Sequence, residues 1–284
     1  MILIQLFGGL GNQMFQYAIG RHLSVIQKTN LYYFFDNPKG TLLRGIELNN
    51  FNIQANIANE FEVFIVRGFR SYLFDNYWVN NLLLGRRVIV EKKYNFNPAV
   101  LEMPDNSFLK GYWQSEKYFL PIRELLLNDF KLKNEISPEA KAIEKEIRNS
   151  NSVAVHLRRG DYLSPKNSEI YIALGAEYYE NAARLILQGN PDCKFFIFSD
   201  DYNWAKENFE LNAAFEVLKP NENPATDLYL MSQCKHQITA NSSYSWWAAW
   251  LNTNPEKMVI SPKKWFKTPV FETEDRIPES WIKM

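Results

Sequence analysis

Residues 1–7 form an apolar run that enters three glycines, Gly8, Gly9 and Gly11. Beyond them Phe15, Ala18, Ile19, His22, Leu23 and Ile26 fall at i, i+3, i+4, i+7, i+8 and i+11, which is one face of a helix. The pattern predicts a strand over 2–7, a Gly-rich turn, a helix over about 13–27 and a second strand over 31–35. His22 lies on the apolar face and reads as a core histidine rather than a ligand.

The second half alternates regularly. Strands are predicted over 153–157 (VAVHL), 194–199 (KFFIFS), 215–218, 236–240 (HQITA) and 258–261 (MVIS). Helices are predicted between them over 176–187, with Gly189 as the stop, and over 202–209, 225–235 and 243–251. Strands alternating with helices imply βαβ units and a parallel sheet. Ser137-Pro138-Glu139 is a helix start, with Ser as cap, Pro in the first turn and an acid behind it. That helix runs to about Arg148, and residues 149–151 (NSN) end it. A boundary there gives two domains, 1–150 and 151–284. The expected fold is therefore α/β, with two Rossmann-type domains facing across a cleft and ligands beyond the carboxyl ends of the strands. Residues 42–108 are less regular. Strands are expected at 61–66 and 87–91. Arg67, Arg70, Arg86 and Arg87 are interleaved there with Phe69, Tyr72, Leu73, Phe74 and Trp78. This reads as a helical, aromatic-rich subdomain with solvated arginines, or as a surface for sugar or anionic lipid.

Composition narrows the function. The 284 residues are 46% hydrophobic and 15% aromatic, with a formal net charge of 0. A nucleic-acid partner would need concentrated Lys and Arg, so none is expected. Cys193 and Cys234 lack metal or redox spacing and fit a reducing compartment. There is no signal-like start and no run approaching the roughly 20 apolar residues of a membrane span. A cytoplasmic protein with at most peripheral contact at the inner membrane face is expected. The Asn241-Ser242-Ser243 sequon carries no weight without a secretion signal.

The candidate chemistry sits at the predicted strand ends. FGGLGNQM resembles G-x-G-x-x-G, with Met14 in place of the last glycine and Asp36 roughly 25 residues on, where a dinucleotide fold keeps its ribose-binding acid. Taken alone it suggests an NAD-type oxidoreductase, or simply a tight βα turn. The Gly-Asn-Gln cluster at a helix start also suits an anion or sugar hydroxyls. HLRRGDY, from His156 to Tyr162, releases His156, Arg158, Arg159 and Asp161 into a loop. Guanidinium forks match phosphate oxygens and stabilise a departing diphosphate. An Arg159–Asp161 salt bridge holding the loop is the structural alternative. The carboxylates of FSDD (Phe198 to Asp201) suit a metal, a guanine edge or a ribose, or they cap the next helix. Asn241, Ser242, Ser243 and Ser245 crowd another helix N-terminus, where hydroxyls and free amides suit an anion. Trp246, Trp247 and Trp250 behind them read as core. The aromatic surplus leaves a non-catalytic carbohydrate-binding protein as a further reading.

GGLGNQMFQYA, GYWQSEKYF, HLRRGDY, FSDD and DLYLMSQCKHQITANSSYSWWAAWL, in that order, resemble the bacterial α-1,2-fucosyltransferases of glycosyltransferase family 11. The resemblance spans nearly the whole chain and is weakest over about 42–108. It implies a GT-B-like fold and transfer of L-fucose from GDP-β-L-fucose to the 2-hydroxyl of a galactose residue in a glycan. The anomeric centre is inverted, and neither metal nor cofactor is used. Carried onto this chain, Arg158 binds the pyrophosphate, Arg159 supports the donor site, and His156 meets the donor. Ser199 and Asp200 join the donor set, and Asp227 meets the guanine edge. Asn241, Ser242, Ser243 and Ser245 hold phosphate at their helix N-terminus. Gly9, Gly11 and Asn12 face the reacting sugar and pyrophosphate. Arg158 and Asn12 are the implied catalytic residues, with Asp161 as candidate base. The N-terminal domain takes the acceptor side and the C-terminal domain the GDP-sugar. The acceptor glycan, the oligomeric state and the role of 42–108 are not legible in the sequence.

Overall fold

The computed structural model describes residues 1–35, 45–63, 66, 88–160, 162, 164–271 and 273–284. They form two compact units. Unit 1 holds Met1–Lys133 and Thr273–Arg276; unit 2 holds Asn134–Glu272 and Ile277–Met284.

Unit 1 is built on a parallel sheet of β1 (Ile2–Leu6), β2 (Leu31–Phe35), β3 (Asn56–Ile57), β4 (Val88–Val90) and β5 (Ser107–Lys110), in the order β3-β2-β1-β5-β4. Every residue of β1 is buried, as expected of a central parallel strand covered on both faces. Helix α1 (Leu10–Ile26) begins earlier than expected, because extended Gly9 is its cap and the glycine turn runs straight into its first turn. His22 is a core histidine: its Nδ1 lies 2.6 Å from the Tyr118 carbonyl oxygen. Helix α2 (Arg123–Asp129) follows later in the same unit. The strand expected over 61–66 is not formed by its described residues, 61–63 and 66. Residues 60–63 and 66 are helical. Asn59 Oδ1 accepts the Glu62 N–H (2.9 Å) and Glu62 Oε2 accepts the Asn59 N–H (2.8 Å), a reciprocal cap that starts a helix. Asp36 and the arginines at 67, 70, 86 and 87 lie outside the described residues.

Unit 2 holds β6 (Asn151–Leu157), β7 (Cys193–Ser199), β8 (Phe215–Val217), β9 (His236–Ile238), β10 (Val259–Ser261) and β11 (Ile282–Lys283). They form one parallel sheet ordered β11-β10-β9-β6-β7-β8. Its helices are α3 (Pro138–Asn149), α4 (Pro165–Ser168), α5 (Ala176–Gly189), α6 (Tyr202–Asn208), α7 (Pro224–Gln233) and α8 (Ser243–Leu251). The units divide at Lys133, not near residue 150. Helix α3 goes with unit 2 because Glu144 accepts the Tyr229 hydroxyl (2.6 Å), Arg148 donates to Gln233 (2.5 Å) and Glu146 pairs with Lys194. Trp246, Trp247 and Trp250 are all core, at most 2% exposed. Both cysteines are free and buried. No described helix is long and apolar enough to cross a membrane.

Candidate functional site

Each sheet has a point where the chain reverses its direction of strand addition, and such points open a crevice at the strands' carboxyl ends. In unit 2 the chain lays β7 and β8 on one side of β6 and then β9 to β11 on the other. The reversal lies between β6 and β9. HLRRGDY leaves β6 there, and Asn241 to Ser245 follow β9.

The register of β6 against β7 sets Leu157 opposite Ser199, so Arg158 and Asp200 emerge side by side. Arg158 Nη1 lies 2.8 Å from Asp200 Oδ2. Asp200 Oδ1 also accepts the Arg159 N–H (2.9 Å) and the Gly160 N–H (3.3 Å). A Cβ at Gly160 would stand 2.7 Å from Asp200 Oδ2, so a larger residue would push the carboxylate out of this grip. Asp200 thus anchors the arginine loop. Asp201 caps α6, accepting the Trp204 N–H (3.3 Å), and Ser199 Oγ accepts the Asp201 N–H (3.1 Å). The Arg159 guanidinium lies over the Trp204 ring, 3.3 Å from its centroid, with Asp201 Oδ2 3.6 Å away. Arg159 thus pairs with Asp201; the salt bridge expected with Asp161 falls on a residue outside the described ones. Among the described residues no group of three or more His, Cys, Asp and Glu is placed to hold a metal ion.

His156 lies beneath this loop, 4% exposed, its ring 5.5 Å from that of Tyr244. Burial pushes the imidazole down to about 4; Asp200 opposes the shift and Arg158 adds to it. The ring is neutral at pH 7, so positive charge here comes from the arginines. Tyr162 spans the β6/β9 reversal: its hydroxyl donates to the Asn241 carbonyl (2.8 Å), and the Arg158 guanidinium lies 5.2 Å from its ring centroid.

The polar cluster before α8 is mostly used locally. Ser242 caps the helix by accepting the Tyr244 N–H (3.3 Å). Ser245 Oγ accepts the Ala240 N–H (3.2 Å) and donates to the Ser242 carbonyl (3.4 Å). Asn241 Nδ2 donates to the carbonyls of Ile172 and Trp265, both at 2.9 Å. Ser243 makes no hydrogen bond through its side chain among the described residues. Asp227, in the first turn of α7, accepts from the Asn221 side chain (2.7 Å) and N–H (3.2 Å).

In unit 1 the reversal lies between β1 and β5. The Gly8–Asn12 turn leaves β1, and GYWQ, residues 111–114, leaves β5. Gly8 has φ +76°, a conformation that favours glycine. Gln13 fixes the turn: its Nε2 donates to the carbonyls of Gly8 (3.0 Å) and Gly45 (3.1 Å), and its Oε1 accepts the Glu47 N–H (2.9 Å). Gln114 Nε2 donates to Asn12 Oδ1 (2.9 Å) across the reversal. Beside it, Glu91 accepts the N–H groups of Tyr112 (2.6 Å) and Trp113 (3.2 Å); burial pushes its carboxyl up. The sequence reading missed Glu91, Trp204 and Arg276. Gln114 lay inside a quoted motif without a role, and Arg276 carries no local signal.

The sequence profile of Glycosyl transferase family 11 matches residues 1–284. The "O-antigen biosynthesis glycosyltransferase WbnK" of Escherichia coli is 35% identical over 282 aligned residues, covering 92% of this chain and 93% of that protein. An "Alpha-1,2-colitosyltransferase" of E. coli is 33% identical, covering 100% and 99%. A "Galactoside alpha-(1,2)-fucosyltransferase 2" of Oryctolagus cuniculus is 28% identical over half of this chain and 43% of its own. Among solved structures, a variant of Arabidopsis thaliana FUT1 in complex with GDP superposes with a TM-score of 0.51 at 12% identity, covering 91% of this chain and 69% of its own. The shared fold is the pair of Rossmann-like units of the GT-B class. The dinucleotide reading of the glycine turn has no support among these relatives.

Proposed function

The chain belongs to glycosyl transferase family 11, and from that premise we propose that it moves L-fucose from GDP-β-L-fucose to the 2-hydroxyl of a galactose residue in a surface-glycan acceptor, with inversion. The observation that carries this reading is the guanidinium pair at the carboxyl end of β6, held in place by the aspartates that follow β7.

An inverting transfer forms the new C1–O bond as the bond from C1 to the diphosphate breaks, so negative charge grows on the departing GDP. Arg158, preorganised by Asp200, and the N-terminus of α8 are suited to take up that charge. Neutral His156 supports the loop without adding charge. Asp227, half-buried but ionisable, has the acceptor oxygens that a guanine edge requires. We assign the acceptor proton to Asp161.

The test is the purified protein with EDTA present, GDP-fucose and a panel of galactose-ended acceptors, read by GDP release and product mass. A product heavier by one fucose, lost when the galactose lacks its 2-hydroxyl, is expected. Arg158→Ala should lower kcat by about a hundredfold or more, as removal of an oxyanion donor does; activity near wild type would remove the assignment. Asp161→Asn should lower kcat with GDP affinity unchanged, and a retained kcat would move the proton to the departing diphosphate.

The colitosyltransferase relative favours one second reading. Colitose is fucose without its 3-hydroxyl. Transfer from the GDP ester of colitose in preference to GDP-fucose would establish it.

A further inference from the structure

Arg276 lies in the short segment Thr273–Arg276, which belongs to unit 1 although the chain on either side of it belongs to unit 2. Asp275 pins the segment, pairing with Lys117 (2.6 Å) and accepting the Phe96 N–H (2.8 Å). Arg276 is 2% exposed, and its Nε donates to Gln114 Oε1 (3.2 Å). Gln114 Nε2 in turn donates to Asn12 Oδ1 (2.9 Å). Glu91 lies close enough to offset the buried positive charge.

The shape of an amide does not fix which end faces which neighbour; here a charge does. A guanidinium carries five N–H donors and no acceptor, and it does not deprotonate. Gln114 must therefore turn its oxygen to Arg276 and its NH2 to Asn12. Asn12 must accept through Oδ1. Its Nδ2 is left as a donor, with no partner among the described residues. That nitrogen stands at the glycine turn: a Cβ on Gly8 would lie 2.7 Å from it.

We propose that Arg276 is a positioning residue which, acting through Gln114, turns the Asn12 amide so that the glycine-rich turn offers an N–H donor, and not a carbonyl, to an oxygen of the bound substrate. The substrate's identity rests on the glycosyl-transfer reading; the direction of the amides does not.

The decisive variant is Gln114→Glu in the full chain. The new carboxylate pairs well with Arg276, so a purely structural role predicts an unchanged or raised Tm and unchanged activity. A carboxylate cannot donate to Asn12, however. The Asn12 amide must then turn over, giving its NH2 to the carboxylate and its oxygen to the turn. The expected result is a native or higher Tm with kcat/KM for the sugar nucleotide lowered at least about thirtyfold, as for loss of a preorganised donor. Arg276→Lys keeps a donor-only cation and should retain activity within about tenfold. Arg276→Met should lose as much as Gln114→Glu. A folded Gln114→Glu enzyme within about threefold of wild type overturns the proposal. Wild-type turnover of GDP-fucose separates this outcome from failure of the transfer reading. Should the wild type consume no sugar nucleotide, the side-chain amide signals of Asn12 in a proton–nitrogen spectrum still decide: they move in Gln114→Glu if the relay holds and stay in place if it does not.

Discussion

Asp227 occupies the first turn of α7, where a helix favours negative charge, yet burial pushes its carboxyl up to about 6 against the help of its Asn221 hydrogen bonds. A carboxyl raised in the fold is favoured protonated. Its ionisation costs stability above pH 6, and the cost vanishes as pH falls toward the unfolded value near 4. Asp227→Asn should therefore stabilise the protein by about 2 kcal/mol at pH 7.5, with the gain shrinking steadily toward pH 4.5, as urea unfolding at the two pH values would show. If the carboxylate meets guanine, the same variant loses GDP affinity by calorimetry. A strained group kept at the expense of stability is the mark of a functional site. Equal stability at both pH values would contradict the burial argument.

At the scale of elements, the legible features are those whose signal is local. The N-cap of α3 was readable from Ser137-Pro138-Glu139, and Ser137 Oγ does accept the Ala140 N–H (3.2 Å). Ser137→Ala should cost about 1 kcal/mol in thermal or urea unfolding, and a change within a few tenths would mean the first turn is held by other contacts. The strands β1, β2, β6, β7 and the Trp-rich α8 were equally readable, because apolar runs and helical spacing announce them. Strands β3 and β11 have two residues each and exist only through their partners. Over 61–66 the run FEVFIV suggested a strand, and the Asn59–Glu62 cap starts a helix there instead. The candidate site divides the same way. Arg158 and Arg159 at a strand end were visible in the sequence. Asp200 as their anchor was not, because it follows from the β6–β7 register. Arg276 was invisible: its partner Gln114 lies 162 residues away.

For the whole molecule, one buried and one half-buried group in unit 2 titrate in one acid window with opposite signs. His156, held neutral by burial with a value near 4, contributes stability that is fully present above about 6.5 and lost as pH falls. Between pH 8 and pH 5 that loss is about 2 kcal/mol. Asp227 returns about 1 kcal/mol over the same range. Wild-type stability should therefore decline only gently, by about 1 kcal/mol from these two groups. Asp227→Asn should decline more steeply than wild type, and His156→Phe, which keeps a ring against Tyr244, should lose the decline. Parallel curves for all three proteins would show that neither group is shifted as the structure indicates.

The return of Thr273–Arg276 to unit 1 has a consequence in time. A ribosome adding about 5–20 residues per second makes Gln114 roughly 10–30 s before it makes Arg276. Through that interval the emerging N-terminal unit can assemble its sheet and its glycine turn, but nothing yet dictates which end of the Asn12 amide faces outward. The nascent chain thus acquires its shape before its polarity, and a transfer-competent turn is among the last things synthesis delivers.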